Sequence, residues 1–209
     1  MQERTSTKLK ILDVAETLFA EHGFKETSLR TITSKAAVNL AAVNYHFGDK
    51  KTLVRAVLER YLEVFMPAVE SALIELNQQQ DYNLQHVFSA LKPPLLSLNQ
   101  YKPNGAAQFM LLVGRGYTDV QGHLRWFIVN RYASALDLFI SSVTKAKPEL
   151  QPEILFWRLH LTLGTCVFTM ASSQALSEIA LSSFSKQIEA EDIIDQLIPY
   201  LAAGVAADR

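Results

Sequence analysis

Glycine and proline are scarce in this 209-residue chain, with 8 Gly and 7 Pro, about 7% together against roughly 12% in an average protein. That shortage of turn-makers disfavours a many-stranded sandwich or barrel and favours long helices with short joins. Cysteine is almost missing. The single Cys166 excludes an intramolecular disulfide and a cysteine-rich metal site, and it fits a reducing, cytoplasmic setting. No export signal is legible, because Met1 to Lys10 is polar and Asp13, Glu16 and Glu21 interrupt the apolar positions that follow. The longest stretch without Asp, Glu, Lys or Arg, Leu159 to Ser177, has 19 residues of which only 10 are apolar. With His160, Thr162, Thr165, Thr169, Ser172, Ser173 and Gln174 in it, no membrane partner is expected, and the run reads as a helix buried in protein. What is present is 49% hydrophobic and 20% charged residues, enough for a folded core. The expected class is all-α, with about nine helices.

The net charge of −1 conceals a division. Residues 1–60 hold ten Lys/Arg and seven Asp/Glu, net +3, whereas residues 61–209 hold ten and fourteen, net −4. A basic head on an acidic body suits a molecule that meets a polyanion at one end. In the head, Ile11, Val14, Ala15, Leu18 and Phe19 follow the spacing of an amphipathic helix. Gly23 then stands where a helix ends in the left-handed conformation. Thr27 is expected to cap a second helix with Leu29, Ile32 and Ala36 inward. Asn39 is expected to cap a third over about Leu40 to His46, with Val38 plugging the turn. In the third helix only Val43 and the following Phe47 are core residues. Leu40, Ala41, Ala42, Asn44, Tyr45 and His46 mix small side chains with hydrogen-bonding ones. Two short helices joined by a tight turn, the second lined this way, fit a helix-turn-helix whose second helix enters the major groove. Asn39 or Asn44 can read base edges, Leu40, Ala41 and Ala42 can touch thymine methyls, and Thr27, Tyr45 and Lys50 suit phosphates.

The stretch from Thr27 through Arg30, Ala36, Ala37, Val38 and Asn39, running on through Val43-Asn44-Tyr45-His46-Phe47-Gly48-Asp49-Lys50 to Leu53, resembles the DNA-binding signature of the TetR family of bacterial repressors. The resemblance covers about fifty residues. It implies a base contact from Arg30, a groove-facing surface of Asn39, Leu40, Ala41, Ala42 and Asn44, and phosphate anchors at Thr27, Tyr45, His46 and Lys50. It also implies double-stranded operator DNA as partner and a working homodimer. Two departures stand out. Ala37 occupies a position where the family usually has Gly, which costs roughly 1 kcal/mol if φ is positive there. Leu40-Ala41-Ala42 lacks the usual hydroxyl or Gly, which shifts readout toward methyl contacts and DNA shape.

Asp49 caps a long helix from Lys50 to about Leu76, interrupted at Pro67. Further breaks near Gln78, Lys92-Pro93-Pro94, Lys102, Gly116 to Gly122, Lys147 and Leu181 to Lys186 divide the remainder into about five helices. The expected domains are residues 1–50 for DNA binding, and 51–209 for ligand binding and dimerisation. Apolar residues with scattered Arg suit a long apolar ligand with an anionic head. Candidate pocket residues are Phe65, Phe88, Phe109, Met110, Val113 and Phe127, with Arg125 or Arg131 for the head group. Val38 to Phe47, Gln121-Gly122-His123-Leu124-Arg125 and Leu155-Phe156-Trp157-Arg158 further resemble the PsrA-type TetR repressors, which implies a response to long-chain fatty acid or acyl-CoA. The last two helices, about Pro152 to Ser177 and Ile188 to Ala207, carry apolar faces. The family resemblance implies that Leu155, Leu159, Leu163, Val167, Ile194, Leu197, Ile198 and Leu201 form a four-helix dimer interface. No HExxH, Gly-rich phosphate loop or nucleophile elbow appears, so neither an enzyme nor a cofactor is expected. A repressor of an efflux pump responding to hydrophobic drugs and a helical lipid carrier are the alternatives.

Overall fold

The computed structural model describes residues 2–118 and 122–207, and the side chains among them except those of residues 2–5 and 118. The helices are α1 Gln2–His22, α2 Leu29–Lys35, α3 Leu40–Phe47, α4 Lys50–Asn77, α5 Leu84–Ala90 and α6 Lys92–Tyr101, followed by α7 Gly105–Thr118, α8 Gly122–Arg131, α9 Ala133–Ala146, α10 Pro152–Ala171, α11 Ser173–Phe184 and α12 Ala190–Ala206. Among the described residues no strand forms. There are more helices than the nine expected, because single residues suffice as joints. Leu91 separates α5 from α6, Tyr132 separates α8 from α9, and Ser172 separates α10 from α11. The break expected at Lys92-Pro93-Pro94 falls at Leu91, just before it, because the prolines sit in the first turn of α6, where a missing N–H costs no intrahelical bond. Pro67 likewise lies inside an unbroken α4. Of the break expected at Gly116 to Gly122, residues 119–121 lie outside the described residues.

Two compact units form, Met1–Leu62 with Leu112–Arg131, and Glu63–Leu111 with Tyr132–Arg209. The expected boundary at residue 50 coincides with neither, since α4 and α7 each contribute to both units. In the first unit Ile11, Ala15, Leu18 and Phe19 of α1 are buried with Ile32, Val43, Leu53, Val57 and Leu58. Phe19 and Phe24 meet edge to face at 5.2 Å between centroids. The core also encloses a carboxylate. Glu16 is fully buried, accepting from Tyr61 Oη at 2.6 Å and from Arg60 Nη1 at 3.2 Å. Arg60 reaches Asp13 as well, at 2.8 Å. Gly23 stops α1 at φ +84°. Arg115 of α7 donates to the carbonyls of Ala20 at 3.2 Å and Glu21 at 3.1 Å, satisfying groups that a helix C-terminus leaves open.

In the second unit α12 packs on α5 and α10, and α5 packs on α9. Leu73, Val87, Phe88, Leu98, Val143, Met170, Ile193, Ile194, Ile198, Leu201 and Val205 make the core. Asn77 donates to the buried Ser142 hydroxyl at 2.7 Å and accepts from Tyr82 Oη at 2.7 Å. Lys92 pairs with Glu191 and Asp195. Gly105 is required where it stands, because a Cβ there would lie 2.0 Å from the Leu98 carbonyl oxygen. The run Leu159 to Ser177 departs from expectation. It is split at Ser172 between α10 and α11, and on α10 only Leu155 and Met170 are buried. One described helix, α10, is long and apolar enough to cross a membrane by length and composition alone. Of its apolar side chains Phe156, Trp157, Leu161 and Phe168 are exposed, while Leu159, Leu163 and Val167 are half-buried.

Candidate nucleic-acid interface

The second helix begins at Ser28. Its Oγ accepts from the Thr31 backbone N–H at 3.0 Å, so Ser28 is the cap and Thr27 is not. Thr27 is 2% exposed and shares its hydroxyl proton between the carbonyls of Gly23 at 2.8 Å and Leu18 at 3.1 Å. Its side chain ties the end of α1 to the start of α2 and is not displayed to a phosphate. The turn after α2 holds Ala37 at φ +53°, with Val38 N–H donating to Thr33 O at 3.0 Å. Positive φ is the condition under which Ala37 is a costly replacement for Gly. Asn39 caps α3 as expected, its Oδ1 accepting from the Ala42 N–H at 2.8 Å. The side-chain oxygen is thereby committed, leaving the amide NH2 as the group that Asn39 can offer to a base.

Val43 and Phe47 anchor α3 in the core. The opposite side shows Leu40, Ala41, Asn44 and Tyr45 to solvent, with Tyr45 at 69% exposure. These four lie at helix spacings of one face. Ala42 and His46 are half-buried at its edges, and the His46 ring meets Tyr45 edge to face at 5.1 Å. Gly48 ends the helix at φ +73°. Asp49 then opens α4, accepting from the Thr52 N–H at 2.7 Å, and that backbone hydrogen bond holds its carboxyl below the ordinary value. Lys50 Nζ donates to the Lys25 carbonyl at 3.1 Å, which fixes its ammonium near the α1–α2 connection. Arg30 and Lys35 on α2, and Lys25 and Lys51, are exposed. The arrangement is a solvent-facing helix of small and hydrogen-bonding side chains with cations on the neighbouring elements of the same unit.

Sequence reading missed the contributions of Arg115 and His123 to this unit. His123 of α8 is half-buried, and burial first, then the charge of Arg55, pushes its imidazole pKa down. The charge pattern of the first sixty residues gives no hint of either, because both side chains arrive from more than fifty positions downstream.

The expected ligand residues fall in both units. Phe65, Phe88, Phe109 and Met110 belong to the second, where the last three are buried, Phe65 meets Phe109 at 5.2 Å and Phe88 meets Phe139 at 6.4 Å. Val113, Arg125, Phe127 and Arg131 belong to the first. Arg125 is exposed, while Arg131 stands 3.4 Å from Glu59. Of the expected dimer residues, Leu155, Ile194, Ile198 and Leu201 are buried within one chain, which withdraws them from an outward surface. Leu159, Leu163, Val167 and Leu197 are half-buried. Among the described residues no group of three or more His, Cys, Asp or Glu could hold a metal.

Residues 11–57 match the bacterial regulatory proteins of the tetR family, and residues 89–204, more than half of the chain, match the tetracyclin repressor-like C-terminal domain. The chain is 36% identical over 90 residues to the "Probable HTH-type transcriptional regulator YttP" of Bacillus subtilis, covering 42% of this chain and 44% of that one. It thus spans less than half the length of the curated relatives it matches. Its backbone is similar to a HlyIIR mutant with residues 170–185 substituted by alanine, at TM-score 0.63 and 18% identity over 95% of this chain and 97% of that one. It is also similar to a TetR family regulator from Marinobacter aquaeolei VT8, at TM-score 0.60 and 17% identity with full coverage of both chains. With a family match over each end and this helix-turn-helix in the first unit, the chain belongs to the TetR family of bacterial regulatory proteins.

Proposed function

We propose that this protein is a transcriptional repressor that binds operator DNA as a homodimer through α3 and is released by a small apolar effector. The observation that carries the reading is the outward row of Leu40, Ala41, Asn44 and Tyr45 on a helix anchored by Val43 and Phe47. Small side chains let the helix backbone approach the groove, Asn44 offers paired donor and acceptor to a base, Arg30 of α2 gives a further base contact, and Tyr45, His46 and Lys50 serve the phosphates.

Long-chain fatty acid or acyl-CoA is the effector class proposed. Support comes from the apolar interior of the second unit, where Phe88, Phe109 and Met110 are buried and Phe65 meets Phe109; apolar surroundings reward an acyl chain at about 0.8 kcal/mol per buried CH2. The effector must bind the DNA-incompetent arrangement more tightly than the competent one, and a coupling of about 1–3 kcal/mol lowers operator affinity roughly 5- to 150-fold.

Electrophoretic shift on the DNA upstream of its own gene, with and without oleate or oleoyl-CoA, tests both parts. A specific shift abolished by either acyl compound is the expected result. No shift on any DNA removes the regulator reading. A shift that neither acyl compound relieves, together with no heat of binding by calorimetry, removes the fatty-acid reading, and release by cationic drugs would replace it.

A further inference from the structure

Two asparagines belong to the exposed surface of α3, and the fold leaves them with different hydrogen-bonding capacity. Asn44 lies inside the helix and caps nothing. Asn39 stands at the N-cap, with extended backbone at φ −84° and ψ 160°. Its Oδ1 accepts from the Ala42 N–H at 2.8 Å, closer than the 3.1 Å from the same N–H to the Asn39 main-chain carbonyl. A backbone N–H can only donate, so the side-chain atom that faces it is the oxygen, and the other is the NH2. The cap therefore fixes the sense of the amide as well as its position. Asn39 is exposed, and so are Leu40 and Ala41 beside it. This is the end of a recognition helix whose residues contact base edges.

We propose that Asn39 reads DNA as a donor only and sets a guanine at one position of each operator half-site. The proposal rests on the DNA-binding function above, with α3 in the major groove, and goes beyond it by naming the base. The groove edges decide the choice. Guanine presents two acceptors, N7 and O6, and no donor. Thymine presents one acceptor, O4, beside a methyl. Adenine presents N7 next to its amino group, and the usual pairing of asparagine with adenine needs a side-chain oxygen for that amino group, whereas the Asn39 oxygen is committed to Ala42. Cytosine presents only its N4 amino group, and two donors brought face to face leave both unsatisfied. Guanine is thus preferred most at this position and cytosine least, so a G·C pair is told from the same pair reversed. Asn44 is free of this limit because it caps nothing, and the adenine edge remains open to it.

Selection from a random duplex pool by the full-length wild type gives its preferred operator, and fluorescence anisotropy on single-base variants of that operator gives a preference at each position. The same profile is measured for Asn39→Ser and Asn39→Asp. Ser and Asp cap helices about as well as Asn, so both variants keep the bond to Ala42, and thermal melting checks that they do. Wild type should favour guanine over cytosine at one position by roughly fivefold or more, the size of a base-edge contact. Asn39→Ser removes the NH2 and should level that position alone. Asn39→Asp puts an acceptor where the NH2 was and should turn the preference there to cytosine, whatever its charge does to affinity overall. Variants that melt like wild type and keep its profile at every position overturn the proposal and leave α3 as the reading helix. A position that responds to both variants but holds cytosine or adenine in the wild-type operator overturns the donor-only assignment. Selection that enriches no sequence overturns the regulator reading along with it. Either variant decides alone should the other fail to fold.

Discussion

Three side chains in the first unit convert local chemistry into measurable stability. Glu16 is a fully buried carboxylate held by Tyr61 and Arg60, and hydrogen bonds to charged groups contribute about 1.5–3 kcal/mol. Tyr61→Phe should therefore lower unfolding free energy by about that amount, and Glu16→Ala by more, because it removes the acceptor that both donors share; urea denaturation of the two variants checks the order. Ala37 at φ +53° carries a backbone cost that Gly avoids, offset in part by the greater freedom of Gly in the unfolded chain. Ala37→Gly should stabilise by about 0.5–1 kcal/mol, read as a higher Tm. Asp49 supplies a pH signature. Its folded-state pKa lies below the ordinary value because the Thr52 N–H stabilises the carboxylate, so its contribution is complete above the unfolded pKa and is lost as pH falls through the folded one. Asp49→Asn removes that titration. The Tm advantage of wild type over Asp49→Asn should shrink as the pH is lowered from 5 through about 4 toward 3, whereas a constant difference would deny the cap its charge.

At the scale of elements, α3 separates two kinds of DNA contact. Lys50 stands at the head of α4 with its ammonium held near Lys25, and the proposed function gives it a phosphate contact that does not depend on base sequence. Lys50→Ala should weaken binding to all duplexes alike and reduce the slope of log affinity against log salt by about one. Asn44, in the outward row, should behave differently. Asn44→Ala should cost about 1–3 kcal/mol on the preferred operator and little on unrelated DNA, measured by fluorescence anisotropy on a panel of single-base variants. The elements of this head were legible because each carries its own punctuation. Asn39 and Asp49 cap by their side chains, Gly23 and Gly48 take positive φ, and Val43 and Phe47 mark the only core positions of α3. Thr27 was misread because a hydroxyl one residue before the true cap can serve tertiary structure as easily as a helix end. The joints at Tyr132 and Ser172 were illegible for a related reason. Neither carries a side-chain cap hydrogen bond, so those breaks are set by packing and not by local sequence, whereas the Leu91 joint is marked by the two prolines that open α6. Exposure of α10 was illegible too, since an apolar period states that a face is to be covered and not by which chain.

For the whole molecule, the charge division and the charge-free run of α10 lead to opposite salt responses. The head carries net +3 within the first sixty residues and the remainder net −4, so attraction to DNA is confined to one part of each chain. Two heads making on the order of six phosphate contacts release about as many counterions, and operator affinity should fall roughly 10³-fold between 50 and 200 mM salt. The dimer interface expected on α10 has no Asp, Glu, Lys or Arg after Arg158, and apolar burial gains rather than loses from added salt. The dimer constant should therefore stay within about twofold over the same range, where screening acts only on charged contacts. The two quantities are separable in one preparation, by anisotropy on labelled operator and by sedimentation of the protein alone. Were both to weaken together, the loss of operator affinity would reflect dissociation of an ion-paired dimer, and apolar contacts would not be what joins the two chains. A steep fall for DNA beside a flat dimer constant assigns the basic head to phosphate and the apolar helices to the second copy, each by the force that its residues can exert.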